Sequence, residues 1–210
     1  CDVNHQTMKQ RNILIAGAGS AGTMMANHLK RKLNHHEWKI TIVDEATTHY
    51  YQPGFLFLPF GIYDEHEIQK PITKYIPDDV DFINTAIDKI EPERNVLTLI
   101  NGAELPYDIL IIASGCSIAP EETPGMKDKL WYKDIFDFYS FDGAKALHDK
   151  LKNWEGGRLA IHITEMPIKC PVAPLEFAFL ADDFFKHKGM RDEVEITYIT
   201  PLSGACTKPF

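Results

Sequence analysis

Nowhere does this chain approach the 18 or so consecutive apolar residues of a membrane-spanning helix, so no such helix is expected within it. Its four cysteines, Cys1, Cys116, Cys170 and Cys206, are widely spaced and form no Cys-x-x-Cys pattern. With no His-rich motif beside them, they suggest neither a zinc site nor the disulfide framework of a small secreted domain. Positive charge is in deficit: Lys and Arg number 22 against 30 Asp and Glu, for a formal net charge of −8 and a pI near 5.6. Without a basic stripe, that balance argues against general nucleic-acid binding. The opening Cys1-Asp-Val-Asn-His-Gln-Thr lacks the apolar core of a signal peptide, and Met8-Lys-Gln-Arg reads as a natural beginning. Internal repeats and low-complexity tracts are absent. The nine histidines are scattered, and His162, at the end of an expected strand, reads as a core or rim residue.

What is present points to an α/β fold that binds a dinucleotide. Asn12-Ile-Leu-Ile-Ala16 is a short apolar run of the kind a parallel sheet buries on both faces, and Ala21 to Lys32 is helix-forming without proline. Between them lies Gly17-Ala-Gly-Ser-Ala-Gly22. In such a fingerprint Gly17 permits the tight turn, Gly19 lets backbone approach a pyrophosphate, and Gly22 lets helix pack closely on strand. The helix start at Ser20 and Ala21 supplies amide donors and positive potential. A second apolar strand, Lys39-Ile-Thr-Ile-Val43, ends in Asp44, placed about 20 residues beyond the fingerprint to accept hydrogen bonds from ribose hydroxyls. A third, within Pro106-Tyr-Asp-Ile-Leu-Ile-Ile-Ala-Ser-Gly115, runs into a small-residue turn, Ala113-Ser114-Gly115, after a stretch from Val80 to Glu104 that reads as an antiparallel meander. The aromatic run Tyr50 to Phe60 is apolar enough to face lipid, but its Pro and Gly residues break any amphipathic helix, so it is expected rather to cover a core or a cofactor.

A second glycine fingerprint is missing. Arg158-Leu-Ala-Ile-His-Ile-Thr-Glu-Met-Pro-Ile-Lys-Cys-Pro-Val-Ala-Pro-Leu-Glu-Phe predicts a strand, a turn and a helix start, with Cys170 where glycines would hold a second pyrophosphate. Pro171 and Pro174 suit a helix start, which would set the thiol near unpaired amides with Lys169 adjacent, both favouring thiolate. The competing reading of Cys170 is a small buried apolar residue. Cys116, after the Ala-Ser-Gly turn, reads as a small residue beside a tight turn, and Cys206 as incidental.

Ala113-Ser-Gly115 resembles the Ala-Thr-Gly turn of flavoproteins with two dinucleotide-binding domains, with Ser for Thr. Within that group the chain is most similar to the sulfide:quinone oxidoreductases and the flavoprotein of flavocytochrome c sulfide dehydrogenase. The resemblance is carried by Lys169-Cys-Pro-Val-Ala-Pro-Leu-Glu-Phe-Ala-Phe179, Tyr50-Tyr-Gln-Pro53 and Lys188-Gly-Met-Arg-Asp-Glu-Val-Glu-Ile-Thr197. It implies FAD held by Gly17, Gly19, Ser20, Ala21, Gly22, Asp44 and Ala113-Ser114-Gly115, in a Rossmann-like domain at residues 8–125. A linker and helix at 126–155 and the beginning of a second Rossmann-like domain at 156–210 would follow. The implied chemistry is oxidation of sulfide at a pair of cysteines including Cys170, with electrons leaving through FAD to quinone. Peripheral membrane association, through regions beyond those seen here, is compatible with the resemblance, as are a cytoplasmic protein and a homo-oligomer. No cysteine lies in Trp131 to Phe141 or in Tyr50 to Gly54, so a two-cysteine mechanism without covalent flavin attachment is expected. Complete members carry a second FAD segment, a second redox cysteine and carboxy-terminal helices. The sequence ends soon after the expected strand Glu193 to Thr200, which reads as a half-built domain and leads us to expect a truncated chain or missing partner sequence. Two alternatives stand beside this one: an NAD(P)H-dependent flavin reductase or type II NADH dehydrogenase, disfavoured by the missing second fingerprint, and a non-enzymatic flavin-binding subunit.

Overall fold

A computed structural model describes residues 10–205, so Cys1 and Cys206 lie outside the described residues. The chain divides into two compact units: the described part of Cys1–Tyr50 with Gln69–Cys116, and Tyr51–Ile68 with the described part of Ser117–Phe210.

The first unit is built on a parallel sheet. Strands β1 (Arg11–Ala16), β2 (Trp38–Asp44), β5 (Asp81–Asn84) and β9 (Ile109–Ile112) lie in the order β5-β2-β1-β9. β1 pairs in parallel with β2, Ile13 opposite Ile40, and with β9, Ile13 opposite Ile109. Period-two alternation sends the apolar side chains to both faces. Ile13, Ile15, Ile40 and Ile42 pack with Ala26 of helix α1 (Ser20–Lys32). Leu14, Ala16 and Val43 pack instead with Leu97 and Leu99 of strand β7 (Val96–Leu99). Burying an Ile or Leu side chain is worth about 1.5–3 kcal/mol, so the two clusters hold the sheet from both sides.

Strands β6 (Ile87–Glu91), β7 and β8 (Glu104–Pro106) form the expected antiparallel meander, but it begins later than the sequence suggested. Asp81–Asn84, read as part of it, pairs in parallel with β2. The reason is packing: Phe82 joins the cluster on the α1 face and Ile83 the cluster on the meander face, so this strand is covered on both sides. Short strands β3 (Thr48–Tyr50) and β4 (Gln69–Pro71) pair antiparallel.

In the second unit, β10 (Gly157–His162) and β11 (Val194–Ile199) pair in parallel, Gly157 opposite Val194, with helix α3 (Ala173–His187) between them in sequence. Helix α2 (Phe141–Asn153) is capped by Ser140, whose Oγ accepts from the Gly143 amide at 3.0 Å. Its Leu147 and Leu151 join Ile161, Phe177, Phe185 and Val194 in one core. The aromatic run enters this core: two 3₁₀ turns, Gln52–Leu56 and Leu58–Phe60, bury Phe55, Leu58 and Phe60, and the Phe60 ring lies 4.8 Å from that of Phe177. The opposite face of the two strands is exposed and mainly polar, with Arg158, His162, Glu195 and Thr197. Among the described residues no helix is long and apolar enough to cross a membrane.

Candidate functional site

In the first unit the three segments singled out in the sequence converge at the carboxyl ends of the parallel strands. The Gly17 amide donates to the Val43 carbonyl at 2.8 Å, and the Ala113 amide to the Ala16 carbonyl at 2.7 Å, which ties the glycine turn to the ends of β2 and β9. Gly17 has φ +107°, and a Cβ there would stand 2.4 Å from the Ala113 carbonyl oxygen. A Cβ on Gly22 would stand 1.8 Å from the Gly17 oxygen. Only glycine fits at either place. Gly19 differs: nothing lies within 4 Å of where its Cβ would be, so the open side of this residue is space that a ligand can approach.

The first intrahelical bond at this end of α1 runs from the Thr23 amide to the Gly19 carbonyl, 3.0 Å. The amides of Ser20, Ala21 and Gly22 precede it and have no partner within the helix. No side chain caps this end, and no acidic residue occupies the first turn. These features together make a receptive place for a pyrophosphate.

Asp44 does more than the sequence suggested. Its Oδ2 accepts from the Ala18 amide at 2.7 Å and its Oδ1 from the Ala46 amide at 2.8 Å, so the carboxylate braces the glycine turn while each oxygen keeps a further lone pair for a hydroxyl. Asn84, at the end of β5, was missed. Its Nδ2 lies 2.9 Å from the Asp44 carbonyl, 3.0 Å from that of Glu45 and 3.0 Å from that of Ala46, and so fixes the segment that follows the acid. The only signal for it was an asparagine at the end of a short apolar stretch. Cys116 is exposed just beyond Gly115.

In the second unit Cys170 is exposed, which removes the packed-core reading. It sits in the turn between β10 and α3 with φ +50°, a left-handed conformation uncommon for a residue with a side chain. The surroundings differ from those expected. The Ala173 amide donates to the Cys170 carbonyl at 3.0 Å, and the Leu175 and Glu176 amides donate to the Val172 carbonyl at 3.0 and 3.1 Å. Pro174 carries no N–H. The first-turn amides of α3 are therefore closed by the turn itself, not left unpaired beside the thiol. Lys169 is also engaged, its ammonium donating to the Gln52 side chain. Pro174 lies in the first turn of α3, whereas Pro171 falls in the preceding turn.

The two units thus present contrasting helix starts. α1 offers free amides behind a glycine turn, and α3 offers none behind a turn that displays a thiol. Among the described residues no group of three or more His, Cys, Asp or Glu is placed to hold a metal ion.

Residues 11–161 match the family model described as pyridine nucleotide-disulphide oxidoreductase. The chain belongs to that family. Its members are flavoproteins that bind FAD, and the glycine turn, the free amides of α1 and Asp44 fit that cofactor. Among curated relatives, the mitochondrial sulfide:quinone oxidoreductase of Dictyostelium discoideum is 27% identical over 187 residues, 89% of this chain and 41% of that protein. A type II NADH:quinone oxidoreductase of Staphylococcus haemolyticus is 29% identical over 154 residues, 71% of this chain and 37% of that protein. The solved sulfide:quinone oxidoreductase of Aquifex aeolicus superposes with a TM-score of 0.73 at 22% identity, covering 90% of this chain and 42% of that one, a likeness that shows the fold. The chain spans less than half the length of these relatives.

Proposed function

We propose that the protein oxidises sulfide through Cys170 and passes the electrons by way of FAD to quinone. The observation that carries this reading is the turn between β10 and α3: an exposed thiol occupies the place of a second dinucleotide fingerprint, and the helix amides behind it are already bonded. A nicotinamide dinucleotide finds neither a glycine turn nor free donors there. The similarity to named sulfide:quinone oxidoreductases over about nine-tenths of the chain supports the same donor.

In this reading Gly17, Gly19, Ser20, Ala21 and Gly22 receive the pyrophosphate, with Gly19 giving the close approach. Asp44 takes ribose hydroxyls while bracing the turn, and Ala113-Ser114-Gly115 forms the adjoining wall. FAD, when bound, accepts an electron pair from a thiol-borne sulfur and releases it to an acceptor. Cys170 acts with a second thiol. Sulfide opens their disulfide, one sulfur–sulfur bond forming as the other breaks, which leaves a persulfide on one cysteine and a thiolate on the other. Overall HS⁻ goes to zero-valent sulfur with release of one proton and two electrons. Quinone takes up two electrons and two protons to become quinol. Access to quinone would place the protein at a membrane surface.

A steady-state anaerobic assay of the full-length protein tests the reading. With a water-soluble quinone, one quinol is expected per sulfide consumed, and NADH in place of sulfide should support less than roughly a tenth of that rate. Quinone reduction by NADH as fast as by sulfide would transfer the protein to the NADH dehydrogenases. Bound FAD inert to both donors would leave it a non-enzymatic flavin-binding subunit.

A further inference from the structure

We propose that Tyr139 is a positioning residue for Cys170, holding the thiol-bearing turn through the Cys170 carbonyl; the proposal rests on the redox role given to Cys170 above. The Tyr139 hydroxyl donates to the Cys170 carbonyl oxygen at 3.2 Å, across 31 residues of sequence. That oxygen also receives the Ala173 amide, so the carbonyl is gripped from both sides: by the start of α3 and by the segment that leads into α2. A residue at φ +50° persists only where its surroundings over-determine it, and these two bonds supply that constraint.

Tyr139 is itself firmly set. Its amide donates to Asp137 Oδ1 at 2.9 Å, as does the Ser140 amide at 2.7 Å, while Asp137 Oδ2 receives the Tyr132 hydroxyl at 3.0 Å and Ser140 Oγ at 3.1 Å. The Tyr139 ring stacks on Phe138, centroids 5.1 Å apart, and Phe138 stacks on the buried Phe177 of α3 at 4.6 Å. Burial first, and the neighbouring Cys170 second, push the phenol above the ordinary tyrosine range, so it remains a protonated donor across the working pH. The turn that displays the thiol is thus fastened to a capped helix start through one phenol.

The test is Tyr139→Phe, which keeps the ring and its stacking. Labelling cysteine carbonyls with carbon-13 and proline with nitrogen-15 gives a carbonyl–nitrogen correlation for the Cys170–Pro171 bond, assigned by its disappearance in Cys170→Ser. Loss of the phenol should move the carbonyl resonance upfield. In the full-length protein the limiting rate of flavin reduction by sulfide should fall about 5- to 10-fold, with the half-saturating sulfide concentration and the FAD content unchanged. A stationary carbonyl resonance, or an unchanged limiting rate, overturns the positioning role. The reading beneath it fails separately: if Cys170→Ser reduces flavin as the wild type does, the redox role of Cys170 is lost and the positioning role with it. If Tyr139→Phe unfolds, Tyr132→Phe with Tyr139 intact replaces it. That variant loosens Asp137 and should shift the same carbonyl resonance, and no shift overturns the proposal.

Discussion

Cys170→Ser in the full-length protein is expected to lower flavin reduction by sulfide by at least ~100-fold, because serine keeps the shape of the side chain but cannot form a sulfur–sulfur bond. FAD content should be unchanged, since the residues that fit the cofactor lie in the other unit of the chain. Stability should change by less than about 0.5 kcal/mol, because the side chain is exposed and fills no core. The backbone should keep its left-handed turn, which rests on carbonyl bonds that serine retains. Rapid-mixing absorbance at the flavin band, with flavin quantified after denaturation, separates these effects. Wild-type reduction rates in this variant would leave Cys170 a surface residue without a redox role.

The second large effect belongs to the glycine turn. Gly22→Ala sets a methyl 1.8 Å from the Gly17 carbonyl oxygen, a backbone atom that cannot move aside alone. The expected cost is about 3 kcal/mol of stability, with FAD retained by less than roughly a tenth of the protein. Gly19→Ala provides the contrast. Its methyl meets nothing within 4 Å, and the backbone at φ −68° suits alanine, so the fold should survive nearly intact. If a pyrophosphate sits against Gly19, FAD affinity should still fall, because the methyl takes the space of the closest approach. Denaturant unfolding and flavin titration of the two variants decide it. A stable Gly19→Ala protein with unchanged FAD affinity would move the pyrophosphate away from that residue.

Much of the first unit was legible because its signals are local. The apolar run Asn12–Ala16, the glycines that follow and the acid ending the next strand each announce a parallel βαβ unit by composition and spacing alone. Asp81–Asn84 was misread because four residues carry too little periodicity to separate a strand covered on two faces from one in a meander. Membership of residues 51–68 in the second unit could not be read at all. It depends on Phe60 meeting Phe177, a contact between residues far apart in sequence.

The sites show the same division. The identities of Gly17, Gly22 and Asp44 were readable from motif logic, but the second duty of Asp44, bracing Ala18 and Ala46, was not, nor was the clasp of Asn84. Around Cys170 the sequence supplied the residue and misjudged its surroundings. Two prolines and a lysine suggested unpaired amides and a free cation, whereas the turn consumes the amides and Gln52 engages the lysine. Backbone closure of a helix start depends on the dihedral angles of the turn, which a Cys-Pro step does not announce. Tyr139 was invisible for the same reason that long-range contacts always are.

In the proposed reaction electrons enter at the thiol of Cys170 from sulfide and not from a nicotinamide dinucleotide. Single-turnover anaerobic mixing of the oxidised full-length protein with sulfide, and separately with NADH, reads it directly from the loss of flavin absorbance. Complete bleaching by sulfide is expected at least ~10-fold faster than by NADH at equal concentration, since the start of α3 offers a dinucleotide no free amide donors. Bleaching by NADH as fast as by sulfide, or faster, would contradict it.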